Sequence, residues 1–311
     1  SVVQDRCVFR MHRFDWLECP LLSGVSSVDY WQLDVFAERP LSGNGLAVFA
    51  DARGLSTQAM QALTVELRQF ESIFLLPGST AHEFSARIFT MEEELPFAGH
   101  PVIGAAALLH HLHGTDEPAQ WVLQLASKSV QLSSRRQGKG YYAEMDQGQA
   151  EFGQSLDPSA TLGLAEAFGL GEAQLDRRYP ATVVSTGLPY VLLPVTAQGL
   201  AVARQQRLVE QELRGCGAAF VFLLDVDGHE GRTWDPAGQV EDIATGSAAG
   251  PVAAYLVKLG LRQLNETFSL NQGRFLQRPS RLDVRVDDAG RVSVGGHVQL
   301  LSTARLLVDL A

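Results

Sequence analysis

The strongest constraint on this chain is a faint internal repeat. Residues 87–108, RIFTMEEELPFAGHPVIGAAAL, run parallel to residues 232–256, RTWDPAGQVEDIATGSAAGPVAAYL. Each copy opens with an Arg two residues before an aromatic, Arg87 with Phe89 and Arg232 with Trp234. Each then places a Glu five residues ahead of a Gly, Glu94 with Gly99 and Glu241 with Gly246. His100 or Ser247 follows, and then a run of small and apolar residues. The two glycines stand nearly half the chain apart. Upstream, Gly45-Leu46-Ala47-Val48-Phe49 has a partner in Gly187-Leu188-Pro189-Tyr190-Val191. Ordered self-similarity of this length predicts one structural unit used twice. The halves are expected at residues 28–150 and 151–311, meeting where Gly148 and Asp157-Pro158 supply turn signals. Residues 1–27 precede the repeat as an N-terminal extension whose order the sequence leaves open.

Within each half the pattern is short strands with few helices. Asp29–Phe36 alternates and ends at Glu38-Arg39-Pro40, a strand and then a turn. Ser56-Thr57 caps a helix running to about Arg68. Ser72–Leu76 and Ala86–Phe89 read as strands. Pro101–His113 and Ala248–Leu259 read as helices that are apolar nearly all round, so each must be surrounded by protein. Two sheets, each wrapped around one buried helix, meet that need, whereas a doubly wound parallel sheet would need many more helices. The expected class is therefore α+β.

Composition narrows the partners. Hydrophobic residues make up 46% of the 311, enough for a large core without disulfides or metals. With 25 basic against 35 acidic residues the net charge is −10, spread over both halves. That balance argues against nucleic acid and anionic membranes as partners. The longest apolar runs, such as Val102–Leu109 and Ala218–Leu224, are far short of the ~18 residues that span a bilayer. Cys7, Cys19 and Cys216 form no CxxC pair and leave an odd thiol, which points to a reducing, cytoplasmic setting and away from a metal knuckle. The extension, with Arg6, Arg10, Arg13, Asp15 and Glu18, lacks the continuous apolar stretch of a secretory signal.

The two Gly-His and Gly-Ser junctions carry the chemistry. A helix start leaves about four backbone N–H groups unpaired at the positive end of the helix dipole. Gly99 and Gly246 would let a ligand approach that backbone closely. Two such starts facing one another make a site for a carboxylate. The plain alternative is tight helix entry, with Ser247 as a cap; its occurrence in both halves would then be coincidence. Asp242, five residues before Ser247, is placed to orient a ligand hydroxyl or amine, or else is a solvated loop acid. Glu71, between Phe70 and the apolar Ile73-Phe74, is expected to be partly desolvated with a raised pKa suited to proton transfer. Otherwise it is an edge-strand Glu facing water. His110, His111 and His113 fit the cation-favouring end of a helix better than a metal site, so no metal is expected. Glu92-Glu93-Glu94 reads as a solvated turn. Ser247 lacks the flanking glycines of a nucleophile elbow, and Gly43-Asn44-Gly45 lacks the third Gly of a dinucleotide fingerprint.

These motifs resemble the PhzF-like phenazine-biosynthesis isomerase family, which shares its fold with diaminopimelate epimerase. The matching segments are Leu33-Asp34-Val35-Phe36 with Gly43-Asn44, Phe70-Glu71-Ser72-Ile73-Phe74, and Pro96-Phe97-Ala98-Gly99-His100-Pro101. In the second half they are Ser185-Thr186-Gly187-Leu188-Pro189, Glu241 through Gly250, Gln272-Gly273 with Arg278-Pro279-Ser280, and Gly295-Gly296-His297. The resemblance implies two pseudo-symmetric domains, each a mixed sheet rolled around a central helix, with the active site between them. It implies a cofactor-free isomerase, commonly a homodimer, acting on a small carboxylate-bearing molecule. Glu71 matches the family's general acid/base. Gly99-His100, Asp242 and Gly246-Ser247 match the groups that hold the substrate's carboxylate, amine and hydroxyl. The expected catalytic set is Glu71, Asp242 and His100, with Gly99, Gly246 and Ser247 binding substrate. No Cys stands at either junction, which disfavours the two-thiol mechanism of the epimerase relatives. Three positions depart from the family pattern: Ile243 stands for Pro, Gly45 for Asn-Pro, and Phe70 and Ser72 for the Ser and Thr that commonly flank the acid. A metabolite-binding or protein-interaction module without turnover is the alternative from another class, and a Ser247 hydrolase is a third.

Overall fold

The computed structural model describes residues 27–235 and 238–307; the N-terminal extension, with Cys7 and Cys19, lies outside the described residues. The first half contains β1 (Val28–Val35), β2 (Asn44–Phe49), α1 (Thr57–Leu67), β3 (Glu71–Pro77), β4 (Glu83–Thr90) and the two-residue β5 (Glu94–Leu95). It continues with α2 (Gly99–His113), β6 (Ala119–Gln124), β7 (Ser129–Gln137) and β8 (Gly140–Gln149). Next come β9 (Glu151–Ser155), α3 (Pro158–Glu166), β10 (Thr182–Ser185), β11 (Pro189–Pro194), α4 (Ala197–Val202), α5 (Glu210–Cys216) and β12 (Phe220–Asp225). The chain closes with β13 (Glu230–Thr233), α6 (Gly246–Lys258), β14 (Phe268–Gln272), β15 (Ser280–Val286) and β16 (Arg291–Leu306).

Strand pairing reproduces the repeat. From β1 to β4 the pairs are antiparallel, parallel, antiparallel; β4 is parallel to β6, and β6-β7-β8 is antiparallel. The run β10-β11-β12-β13-β14-β15-β16 repeats that alternation step for step. The helices α2 and α6 each make the crossover of the second parallel pair. The protein is thus α+β, two pseudo-symmetric domains, each a mixed sheet rolled around a central helix.

The two sheets expected from sequence are hydrogen-bonded into one. β8 pairs with β16 from Tyr141 opposite Val298 to Gln149 opposite Arg291, giving a single 16-stranded sheet. The far part of β16 runs on to pair with β1 and closes the first roll, while β9, continuing from β8, pairs with β10. The first half is therefore closed by the last strand of the second. One sequence match is corrected. The hairpins put Leu46, not Val48, in the place of Tyr190: Leu46 faces Glu71 as Tyr190 faces Phe220 at the start of the two parallel pairs. The turn before β2 spans residues 36–43, whereas that before β11 spans only 186–188, so aligning Gly45 with Gly187 slips the register.

Burial explains the helices. Every residue from Gly99 to His110 in α2 and from Gly246 to Leu256 in α6 is buried. In β3 both faces are covered, which is why its sequence is a continuous apolar run. Ile73 and Leu75 pack in the core around α2, while Phe74 stacks on Phe49 in the separate core beneath α1. Ser56 caps α1 through Ala59 N at 3.1 Å. The Arg and Glu of each repeat copy form equivalent ion pairs, Arg87 with Glu94 and Arg232 with Glu241. Each guanidinium also lies over the aromatic two residues on, Phe89 or Trp234. Glu94 of the acidic turn is thus exposed but held by its Arg. Among the described residues no helix is long and apolar enough to cross a membrane.

Candidate active site

Strand alternation puts Glu71 on the same face as Ile73 and Leu75, the face turned towards α2. Its carboxyl is therefore carried to the start of that helix, buried rather than facing water. There Glu71 Oε2 lies 3.2 Å from His100 Nδ1, with both side chains under a tenth exposed. Asn44, the first residue of β2, brings in the second half. Its Nδ2 donates to Asp242 Oδ1 at 3.0 Å and to the Ala244 carbonyl at 3.1 Å, with His100 Nδ1 at 3.4 Å. Thr245 Oγ1 donates to Asp242 Oδ2 at 2.6 Å. Gln272 Nε2 donates to the Asp242 carbonyl and to Thr245 Oγ1, both at 2.9 Å, and its Oε1 accepts from Thr245 N. The loop that precedes α6 is thereby fixed on three sides.

The two helix starts meet. A Cβ placed on Gly99 would sit 2.9 Å from the backbone of Gly246 and Ser247, so only glycine permits this approach. Neither Ala98 nor Thr245 caps its helix with a side-chain hydrogen bond. Ser247 is not a cap either: its Oγ pairs with the buried Tyr190 hydroxyl at 2.7 Å. Two uncapped N-termini thus converge on one point, with their dipoles favouring negative charge there. Gln147 Nε2 donates to the Gly246 carbonyl at 2.8 Å and its Oε1 accepts from Thr186 Oγ1, which ties β8 to the same junction.

Burial sets the protonation states. Desolvation, reinforced by the neighbouring Asp242 charge, pushes Glu71 well above the usual carboxylate range. Burial also lifts Asp242 to about 6, against the opposing hydrogen bonds from Thr245, Asn44 and the backbone. The same desolvation holds His100 down at about 3, so its imidazole is neutral. Glu71 Oε2, His100 Nε2 and Asn44 Oδ1 are buried without an aligned hydrogen-bond partner. Three such polar atoms in one place are groups that a polar ligand would satisfy.

The Asp242 shift has a measurable consequence. Its folded pKa of about 6 exceeds the ordinary 3.8, so between those values the folded protein holds a proton that the unfolded chain releases. Its contribution to stability therefore falls as pH rises through that window and stays lower above it. Asp242→Asn removes this dependence. Melting curves at pH 4 and pH 7 should show the variant gaining on the native protein as pH rises; a difference independent of pH would contradict the assignment.

All six residues singled out from sequence, Glu71, Gly99, His100, Asp242, Gly246 and Ser247, come together here. The weaker candidates do not. His110 has both ring nitrogens occupied, by Ser134 Oγ and the Thr115 carbonyl, and His111 binds the Tyr141 hydroxyl. Among the described residues no three His, Cys, Asp or Glu side chains converge on a metal-sized gap. Tyr190 is the one hydrogen-bond partner of Ser247 Oγ among the described residues, so no base activates that hydroxyl as a hydrolase would need. Sequence reasoning assigned no role to Asn44, Gln272 or Tyr190. Their common signal is a polar group at the end of an apolar strand beside a glycine turn.

Comparisons with known proteins identify the family and agree with this fold. The family model described as phenazine biosynthesis-like protein matches residues 33–304. Trans-2,3-dihydro-3-hydroxyanthranilate isomerase of Pseudomonas chlororaphis is 31% identical over 282 residues, 86% of this chain and 95% of that protein. A solved structure described as a predicted epimerase from Pseudomonas aeruginosa is 65% identical, with a TM-score of 0.88 over 91% of this chain and 100% of that one. A Bacillus anthracis phenazine biosynthesis protein, 22% identical, shares the fold with a TM-score of 0.80 over 91% of this chain and 100% of that one.

Proposed function

This chain belongs to the phenazine biosynthesis-like (PhzF) family of small-molecule isomerases, and we propose that it moves a proton within a small carboxylate-bearing metabolite by general acid/base catalysis, without a cofactor. The observation that carries this reading is the buried Glu71 carboxyl, 3.2 Å from a neutral His100 at the meeting point of two uncapped helix starts. A carboxyl whose pKa burial has raised holds a returned proton better than an ordinary carboxylate does, as a group that both accepts and returns one must. Glu71 removes the proton from carbon and delivers it at a conjugated position of the same molecule. The helix starts and Ser247 hold the carboxylate and the enolate-like charge that develops, as preorganised donors in a dry site do. Asp242 takes the substrate's amine or hydroxyl. His100 keeps the Glu71 carboxyl oriented. A cytoplasmic homodimer without a nucleic-acid or membrane partner fits this reading.

The test is solvent exchange. The protein is incubated in D₂O with trans-2,3-dihydro-3-hydroxyanthranilate, the substrate that names the Pseudomonas chlororaphis relative, and with a panel of small amino and hydroxy acids. One compound should gain a single carbon-bound deuterium, with no added cofactor and in the presence of a chelator. Ligands that bind without any exchange would favour a non-catalytic binding module.

A further inference from the structure

Tyr190 occupies the place in the second half that Leu46 occupies in the first, and Phe220 the place of Glu71. In the first half the polar group that touches the residue after the helix-start glycine comes from β3, as Glu71 against His100. In the second half it comes from the neighbouring strand β11, as Tyr190 against Ser247. Tyr190 is buried, and its ring is stacked on Phe220 with centroids 5.2 Å apart and planes 24° from parallel. The stack leaves the phenol one direction in which to point, and Ser247 Oγ lies there at 2.7 Å.

We infer that Tyr190 is a positioning residue, which donates to Ser247 Oγ and so turns the serine proton into the cleft for an anionic oxygen of the ligand. Two hydroxyls share this contact, and only one of them can be its donor. If Ser247 donated, the Tyr190 proton would be left buried without an acceptor, since Ser247 is its single partner among the described residues. Donation by Tyr190 satisfies the phenol and leaves the serine proton available. Burial keeps the phenol protonated by pushing its pKa up. Across the meeting point of the two helix starts, His100 Nε2 and Glu71 Oε2 are likewise buried without an aligned hydrogen-bond partner, as groups awaiting a polar ligand would be. The group met by Ser247 is therefore a carboxylate or enolate oxygen, not an ammonium. This inference rests on the anion-binding reading of the two helix starts given above.

Inorganic sulfate is the probe, titrated by thermal shift, where binding raises the melting temperature by mass action. Ser247→Ala should weaken sulfate binding. Tyr190→Phe keeps the stacked ring and should weaken it about fivefold, the worth of one neutral hydrogen bond. In the Ser247→Ala background the same tyrosine change should add nothing, which separates positioning through Ser247 from a merely structural role. Tyr190→Leu serves as the second variant and should behave alike, because Leu46 fills the equivalent place in the other half. If Ser247→Ala leaves sulfate binding unchanged, the anion-site reading fails and this inference falls with it. If Ser247→Ala weakens binding but neither tyrosine variant does, the inference about Tyr190 alone is overturned. It is also overturned if the tyrosine variants weaken binding equally with and without Ser247.

Discussion

Glu71→Gln is expected to leave the fold intact and to cut deuterium exchange into substrate ~10²–10⁴-fold, the usual worth of a positioned acid/base. Glutamine matches the size of the carboxyl and keeps a polar group beside His100, but it cannot take up and return a proton. Burial pushes the native carboxyl well above its ordinary pKa because its charged form is poorly solvated there, and an uncharged amide adds no desolvation cost. Stability should therefore change little. Sulfate binding should also change little, because the anion site proposed above uses Gly99, Gly246, Ser247 and the helix starts rather than Glu71. Thiol-blocking reagents should leave turnover intact, since Cys216 lies at the end of α5 and no Cys stands at either junction. Full turnover in Glu71→Gln, together with its loss on thiol modification, would replace this assignment with a cysteine mechanism.

The parts of this site that sequence revealed are those with a local physical signature. α2 and α6 were legible because a helix apolar on every side has only one place to be. Glu71 stood out as a carboxyl inside an apolar strand, and the two glycine junctions were legible because they occur twice. Asn44 gave a weaker signal, a polar residue at a strand start between two glycines, which does not say what it bonds. Its meaning lies in hydrogen bonds to Asp242 and Ala244, whose separations of 198 and 200 residues only the fold can close. Gln272 and Tyr190 are alike in this: each lies near the end of a strand and acquires its role from a loop or helix far along the chain. The β8–β16 junction was hidden for a different reason. Its alternation suits any half-buried antiparallel pair, so nothing local states that the first half is closed by a strand from the second. The two-residue slip between Gly45 and Gly187 follows from turn length, which a match of short apolar words does not register.

The repeat also sets up a comparison of stability within one molecule, and here the largest loss is expected at Arg232. Arg232→Ala should destabilise the protein by about 3–5 kcal/mol, the range for removing one partner of a buried ion pair. Arg87→Ala, at the equivalent place, should cost no more than about 1 kcal/mol. The two pairs have the same chemistry, bidentate Arg–Glu with an aromatic two residues on. They differ in solvent: side-chain exposure is 1% and 10% for Arg232 and Glu241, against 29% and 34% for Arg87 and Glu94. Arg232 also donates to the carbonyls of Leu200 and Ala203 and packs over Phe275. Its loss leaves the Glu241 carboxylate and the Leu200 carbonyl without this donor, whereas the Ala203 carbonyl keeps Arg204 and water replaces Arg87. Glu241 adjoins Asp242 in sequence, so the Arg232 variant should weaken sulfate binding as well, and the Arg87 variant should not. Urea unfolding of the two variants side by side checks the difference. Equal costs would mean that packing around the second-half core, rather than burial of charge, decides what this repeated ion pair contributes.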